Sequence, residues 1–231
     1  MPNKPTIILV HGFWGGAAHW SKVISLLDKK GYKSIYAVEN PLTSLADDAE
    51  RTRKMIAQQK GPVLLVGHSY GGAVITEAGN QPNVVGLVYI AAFAPDAGES
   101  PGDVAGANPS PGAANLTVDS DGYLWIKQDK FHESFCQDLT AEEGLVMAIT
   151  QKAPIVGTFG DKITVPAWKS KPSWYQISSN DHMIAPISQK IMSDKLGAKK
   201  IITLASGHAS LASMPEEIAS FIDEAAQAAT A

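Results

Sequence analysis

The 231 residues can bury a large core, and 45% hydrophobic with 18% charged residues is ordinary globular composition, so we expect one α/β domain. The formal net charge of −4 gives no basic surface for nucleic acid or anionic membranes, and neither is an expected partner. Cys136 is the single cysteine, which excludes an intrachain disulfide and a cysteine-rich metal site. The first apolar run, Thr6–Val10, is too short for a signal-peptide core or a membrane span, so a cytoplasmic protein is expected.

Short apolar runs then alternate with helical patterns along the chain. The predicted strands are 6–10, 34–38, 63–66, 84–90, 174–178 and 200–204. They are continuous apolar runs, as expected for parallel strands covered by helices on both faces. Predicted helices include 18–29, a helix capped by Ser44 that runs to about Gln59, and a last helix with a capping box at Ser213. The repeated alternation predicts an α/β fold with a doubly wound, mostly parallel sheet flanked by helices.

The most informative motif is Gly-His-Ser-Tyr-Gly at positions 67–71, between the apolar strand 63–66 and the helix-compatible segment 72–78. The three fixed letters also occur by chance, so the strand before them and the helix after them carry the argument. Together these features predict a nucleophile elbow, a strained turn that exposes the Ser69 hydroxyl at the carboxyl edge of the sheet. Small residues flank the serine because strand and helix approach closely there.

The alternation breaks between residues 95 and 172. This segment begins with a stretch rich in Pro, Gly, Ala and Asp, and it contains a predicted hairpin at 116–126 and a helix with a capping box at Thr140. It is too long for a simple connection, so we expect a cap over the active site. The predicted organisation is one domain, with residues 1–94 and 173–231 as the core and residues 95–172 as the inserted cap.

Four segments together resemble the α/β-hydrolase fold. They are His11-Gly12-Phe13 after the first strand, the elbow around Ser69, Asp181 after strand 174–178, and Gly207-His208 after strand 200–204. The order serine, acid, histidine matches that fold. Segments 172–181 and 205–211 resemble its compact, cofactor-free branch, which contains small carboxylesterases, pyrethroid-hydrolase-like esterases, plant methylesterases and hydroxynitrile lyases. The resemblance implies no cofactor and a small-molecule ester as the partner.

The catalytic residues can be proposed from the chemistry that the elbow needs. Near neutral pH a serine hydroxyl is a poor nucleophile, so Ser69 requires a base to take its proton. His208 is the best candidate among the six histidines, because it follows a strand where the fold places its catalytic histidine. Asp181 is the favoured orienting carboxylate. Asp96, which follows strand 84–90, is the competing candidate.

The resemblance also implies an oxyanion hole and a substrate pocket. The backbone N–H groups of Phe13 and Tyr70 are the expected donors to the oxyanion. Trp14 and Trp125 are candidate residues of an apolar pocket. Because there is no His-Glu-x-x-His, Walker or dinucleotide motif, neither a metal nor a nucleotide cofactor is expected.

Three functions are compatible with these features. The first is a serine hydrolase of carboxylesterase type that forms an acyl-enzyme on Ser69. The second is a hydroxynitrile-lyase-like or other non-hydrolytic enzyme, and the third is a non-catalytic ligand-binding protein on the same scaffold. The lyases of this branch carry a threonine where this chain has Gly12, and a lysine where it has Ala209. Both departures favour the hydrolase, while the ester and the oligomeric state stay open.

Overall fold

Strands and helices follow the predicted alternation in a computed structural model, which describes residues 4–230. The strands are β1 (Thr6–Val10), β2 (Ile35–Val38), β3 (Val63–His68), β4 (Val84–Ile90), β5 (Leu116–Val118), β6 (Leu124–Ile126), β7 (Ser173–Ser178) and β8 (Lys200–Leu204). The α-helices are α1 (Ser21–Lys29), α2 (Leu45–Ala57), α3 (Gly71–Ala78), α4 (Pro101–Ala107), α5 (Phe131–Phe135), α6 (Ala141–Ile149), α7 (Pro186–Lys195), α8 (Ser210–Ser213) and α9 (Pro215–Ala229). Short 3₁₀ helices cover Ala17–Trp20, Pro111–Asn115, Gln128–Lys130, Val156–Gly160 and Ala167–Lys169.

Six strands form one parallel sheet in the order β2-β1-β3-β4-β7-β8. Every residue of β1 and β3 is buried. Burial of both faces explains why these strands read as continuous apolar runs. The predicted fold class, an α/β fold with a doubly wound, mostly parallel sheet, is confirmed.

The sheet separates two apolar cores because successive side chains of a strand point to opposite faces. In β1, Ile8 and Val10 pack on one face with α2 and α3, while Ile7 and Leu9 pack on the other with α1 and α9. The two cores hold the strands in register. They also fix the carboxyl ends of the strands, from which the functional loops leave.

The segment between β4 and β7 contains the predicted hairpin and helix. β5 and β6 pair antiparallel, and Thr140 caps α6 through reciprocal bonds with Glu143. Leu124, Phe131 and Ile163 of this segment belong to the same apolar core as one face of the sheet. The segment therefore packs as part of the main body, and its role as a cap remains a prediction.

Two predicted helix starts have different outcomes. Ser44 caps α2 by accepting a hydrogen bond from the Asp47 N–H at 3.0 Å, as predicted. The capping box at Ser213 is wrong, because Ser213 is the last residue of α8 and lacks the extended backbone of a cap. α9 begins at Pro215 without a side-chain cap. Within residues 4–230, no helix is both long and apolar enough to cross a membrane.

Candidate active site

Ser69 lies in a strained turn between β3 and α3. Its φ is +54°, in the left-handed region that residues with a Cβ seldom occupy. The Ser69 carbonyl accepts hydrogen bonds from the N–H groups of Gly72 and Phe93, both at 3.0 Å. A Cβ on Gly67 would lie 2.5 Å from the Gly71 carbonyl oxygen, so only glycine fits there. This is the strand-to-helix turn that the motif predicted.

Asp181 and His208 are in direct contact at the carboxyl ends of β7 and β8. The His208 Nδ1 lies 2.7 Å from the Asp181 Oδ2, and both side chains are fully buried. The other carboxylate oxygen accepts the N–H groups of Met183 at 2.7 Å and Ile184 at 2.9 Å. The Gln189 amide donates to Oδ2 at 2.7 Å. These donors orient the carboxylate toward the imidazole.

The second ring nitrogen of His208 is left free. Its Nε2 is buried and has no hydrogen-bond partner among residues 4–230. Since Nδ1 faces a carboxylate, the proton of a neutral ring belongs on Nδ1, and Nε2 then carries a lone pair that can accept a proton. Before substrate binds, the hydrogen bond between a catalytic base and its nucleophile is often long or poorly aligned.

His68 connects the serine turn to the histidine loop. Its ring centroid lies 4.8 Å from that of His208, and its Nε2 lies 2.9 Å from the His208 carbonyl oxygen, to which it donates. Burial, followed by the neighbouring His208, holds the pKa of His68 well below its usual range. His68 therefore stays neutral and positions the loop that carries His208.

Asp96, the competing acid, contacts different partners. It pairs with Lys169 and Lys195 in a partly exposed cluster. The hydrogen bond from Lys169, with smaller contributions from the Ala97 N–H and Lys195, lowers the pKa of Asp96. Of the two candidate carboxylates, Asp181 is the one against His208.

Phe13 and Tyr70 bring free backbone donors to the surroundings of Ser69. Their N–H groups donate no hydrogen bond to another protein group within residues 4–230. Tyr70 follows Ser69 directly, and Phe13 follows Gly12, where an added Cβ would lie 2.6 Å from the Ser69 Cβ. The two donors therefore approach Ser69 from different loops, as an oxyanion hole requires.

His11 supports the loop that carries Phe13. Its Nδ1 donates to the Gly12 carbonyl at 2.8 Å, and its Nε2 accepts the Asn40 N–H at 3.0 Å. Burial lowers the pKa of His11, so the neutral ring can donate at one nitrogen and accept at the other. The loop conformation is thus fixed by side-chain hydrogen bonds.

A cavity of about 300 Å³ opens beside Ser69. Its aromatic walls are Phe13, Trp14, Phe93 and Phe159. Met183 and Ile184, which follow Asp181, also line it, together with small residues of α4 such as Gly106. The lining residues that the structure describes include no charged side chain. Such walls suit an uncharged, apolar group.

Of the two candidate pocket residues, Trp14 lies at this cavity and Trp125 does not. Trp14 lines the cavity, and its indole N–H donates to the Leu124 carbonyl at 2.7 Å. Trp125 does not line it and donates to Asp119 within the hairpin at 2.8 Å. Strand alternation is the reason, because Leu124 and Ile126 face the core and Trp125 must point the other way. Phe93, Phe159 and the residues of α4 also line the cavity, and they were not predicted from the sequence. The small residues of 101–107 were the one feature of the sequence that could have indicated open space there.

Another hollow, of about 860 Å³, lies around Lys4, Lys30 and Tyr32. It is at the amino ends of β1 and β2, the edge of the sheet opposite Ser69, and it includes none of the proposed catalytic residues. Among residues 4–230, no group of three or more His, Cys, Asp or Glu side chains is arranged to hold a metal ion.

Comparison with known proteins agrees with this geometry. The sequence model of the alpha/beta hydrolase family matches residues 7–221. The chain is similar to an alpha/beta hydrolase, nvfD, of Aspergillus novofumigatus, with 29% identity covering 96% of this chain and 97% of that protein. It is also similar to the pyrethroid hydrolase of Sphingobium wenxiniae, with 28% identity covering 96% of this chain and 88% of that protein. A solved structure of a pyrethroid hydrolase from Sphingobium faniae superposes with a TM-score of 0.82 at 22% identity, covering 97% of this chain and 98% of that one. The chain therefore belongs to the alpha/beta hydrolase family, which its motifs already resembled.

Proposed function

We propose that the protein is a carboxylic ester hydrolase that forms an acyl-enzyme on Ser69. The observation that carries this proposal is the buried contact between His208 and Asp181, which leaves the His208 Nε2 without a partner among residues 4–230. The His208 ring lies 4.8 Å from that of His68, the residue before the strained Ser69. A neutral imidazole held in this tautomer is the base that a serine nucleophile needs.

The proposed reaction runs in two halves. The His208 Nε2 takes the proton of the Ser69 hydroxyl as Oγ attacks the ester carbonyl, and Asp181 stabilises the imidazolium that forms. The carbonyl electron pair moves onto oxygen, which receives the N–H groups of Phe13 and Tyr70. The bond to the alcohol then breaks, and the alcohol oxygen takes the proton from His208. Water reverses these steps on the acyl-enzyme, which releases the acid and restores Ser69.

The cavity supports uncharged esters with an apolar acyl or alcohol group as substrates. Its volume of about 300 Å³ lies at the small end of the range for ligand pockets. A charged substituent would lose its hydration against aromatic and aliphatic walls without gaining a partner. Two of the similar proteins are named pyrethroid hydrolase, which agrees with ester chemistry at this site.

Gly12 gives a structural argument against the lyase alternative. An added Cβ there would lie 2.6 Å from the Ser69 Cβ and 3.0 Å from its Oγ, so the threonine of the lyases does not fit this loop. Ala209, at the position of their lysine, is buried and carries no amine. A purely ligand-binding role does not require the free Nε2 of His208 against a buried carboxylate.

Labelling of Ser69 tests the proposed function. Treatment with a fluorophosphonate should add one adduct at Ser69, and Ser69→Ala should abolish both the adduct and the hydrolysis of p-nitrophenyl butyrate, because no other nucleophile sits at the elbow. Intact-mass spectrometry locates the adduct. Mandelonitrile serves as the comparison substrate, and its cleavage without ester hydrolysis would assign the protein to the lyases. An adduct at another residue would also contradict the proposal.

A further inference from the structure

Asp48 of α2 is a buried carboxylate outside the proposed catalytic residues. Its side chain is fully buried, and no basic side chain of residues 4–230 pairs with it. Its Oδ1 accepts the Leu42 N–H at 2.8 Å, and its Oδ2 accepts the Tyr70 hydroxyl at 2.8 Å. Burial raises the pKa of Asp48 to about 6, although both hydrogen bonds oppose that rise. An unpaired buried carboxylate is costly to the fold, so its position calls for an explanation.

Tyr70 connects this carboxylate to the oxyanion hole. The same residue supplies one of the two proposed backbone donors, and its hydroxyl is the group that reaches Asp48. Its ring is buried and stacks on the ring of Phe13, with centroids 3.9 Å apart and planes at 14°. Phe13 supplies the other proposed donor and lines the cavity, whereas Tyr70 does not line it. A continuous set of contacts therefore runs from α2 to both donors.

An oxyanion hole works only when its backbone donors are accurately placed, and the contacts of Tyr70 with Phe13 and Asp48 can fix that placement. Its donors must lie about 2.7 to 3.1 Å from the developing oxyanion, and displacements on the order of 0.5 Å weaken the site. Phe13 and Tyr70 belong to loops that follow different strands, β1 and β3. The stacked rings join the two loops, and the hydrogen bond to Asp48 fixes the Tyr70 ring against a rigid helix.

We propose that Asp48 is a positioning residue of the oxyanion hole: through the Tyr70 hydroxyl it fixes the ring on which Phe13 stacks, and so it sets the separation of the two backbone donors. This inference rests on the proposed ester hydrolysis. A purely structural role is the alternative, since Asp48 also binds the N–H of Leu42, whose φ of +64° is in the left-handed region.

Tyr70→Phe separates the two roles because it keeps the ring, the stack and the bond from Asp48 to Leu42, and removes only the hydroxyl. With p-nitrophenyl butyrate we expect kcat and kcat/KM to fall together, on the order of 10-fold, with KM unchanged, because the lost contact matters in the transition state. The inhibition constant of a trifluoromethyl ketone, whose adduct carries an oxyanion, should rise by the same factor.

A second variant separates positioning from stability. Tyr70→Phe leaves the Asp48 charge with one fewer donor, and the double variant with Asp48→Asn removes that charge while keeping an oxygen for Leu42. The double variant should regain thermal stability but keep the low kcat. Tyr89→Phe is the matched control, since it removes a buried tyrosine hydroxyl bonded to Thr76 at 2.9 Å without touching Phe13. Its kcat should equal that of the unmodified protein.

Two results would overturn the inference alone: an unchanged kcat in Tyr70→Phe, or a kcat that recovers together with stability in the double variant. Equal losses in Tyr70→Phe and Tyr89→Phe would overturn it as well, because the effect would belong to any buried hydroxyl. If the unmodified protein neither hydrolyses the ester nor reacts at Ser69, the proposed function is wrong, and this inference fails with it.

Discussion

Asp181 shows how single residues define the site. Besides the imidazole of His208, three groups donate hydrogen bonds to its carboxylate. They are the backbone N–H groups of Met183 and Ile184 and the side-chain amide of Gln189. The carboxylate is thereby fixed on the side of the imidazole that carries the proton. Its role depends on this orientation, because a histidine in the wrong tautomer cannot accept the serine proton.

Asp181→Asn should lower kcat for p-nitrophenyl butyrate by on the order of 10³ to 10⁴, because an amide can donate to Nδ1 and stabilise the other tautomer. Asp96→Asn is the control, and we expect it to change kcat little, since Asp96 pairs with Lys169 and Lys195 instead of His208. Steady-state kinetics of the two variants provide the test. The reverse ranking would move the acid to Asp96.

Residues with a local signal could be predicted from the sequence. The strained turn at Ser69 and the contact of Asp181 with His208 follow from motifs that end three strands of one sheet. The bond between Asp48 and Tyr70 could not be predicted, because nothing near either residue indicates that α2 meets the elbow. The position of Trp125 outside the cavity could not be predicted for a related reason, because which face of a three-residue strand is buried depends on what packs against it.

Among the elements, α4 forms part of the cavity wall. It is a short helix of small residues between Pro101 and Ala107, begun by a capping box at Ser100. Gly102, Ala105 and Gly106 line the cavity, and a Cβ added at Gly106 would meet no atom within 4 Å. Space beside Gly106 is therefore available to the substrate or to a larger side chain.

Gly106→Leu should shift the preference toward short esters. A leucine at this position narrows the cavity. The kcat/KM for p-nitrophenyl octanoate should therefore fall relative to that for the acetate. The ratio should change by a factor that corresponds to about 1 to 3 kcal/mol of transition-state free energy, the scale of one hydrophobic contact in a pocket. Gly157→Leu is the matched control, because Gly157 is also open to an added Cβ but does not line the cavity. Both variants should react fully with a fluorophosphonate.

An unchanged ratio of octanoate to acetate in a folded Gly106→Leu variant would show that α4 does not border the substrate. A shift of equal size in Gly157→Leu would lead to the same conclusion.

The two predicted helix caps show that a local sequence pattern alone does not determine where a helix begins. Ser44 and Ser213 carry comparable sequence signals, yet only Ser44 caps a helix. Ser213 is taken up by α8, a short helix that continues the His208 loop. Tertiary packing thus decides between two local conformations that the sequence pattern leaves equal.

For the molecule as a whole, Asp48 predicts a dependence of stability on pH. Burial raises the pKa of Asp48 from 3.8 to about 6, opposed by its bonds to Leu42 and Tyr70 and by the charge of Lys152, while Asp47 contributes to the rise. At a pH between these two pKa values, Asp48 is deprotonated in the unfolded chain and still protonated in the folded protein. Stability from this group therefore falls as the pH rises from about 4 to about 6.

Asp48→Asn removes this titration. The free energy of unfolding of the unmodified protein, minus that of the variant, should fall by up to about 3 kcal/mol between about pH 4 and pH 7. Urea denaturation across this range measures the difference. Asp47→Asn, at an exposed position of the same helix, is the control and should not reproduce the fall. A flat difference would show that Asp48 does not titrate in this window.

The core shared by the sheet and the inserted segment bears on how substrates enter. Leu124, Phe131 and Ile163 are buried in the same apolar layer as the strands, so swinging the whole segment outward would expose that layer to water. Such a hinge opening would cost a large part of the stability of the fold. Access to Ser69 is therefore expected through small rotations of side chains such as Phe159 at the cavity wall, on a timescale much faster than that of a swinging lid.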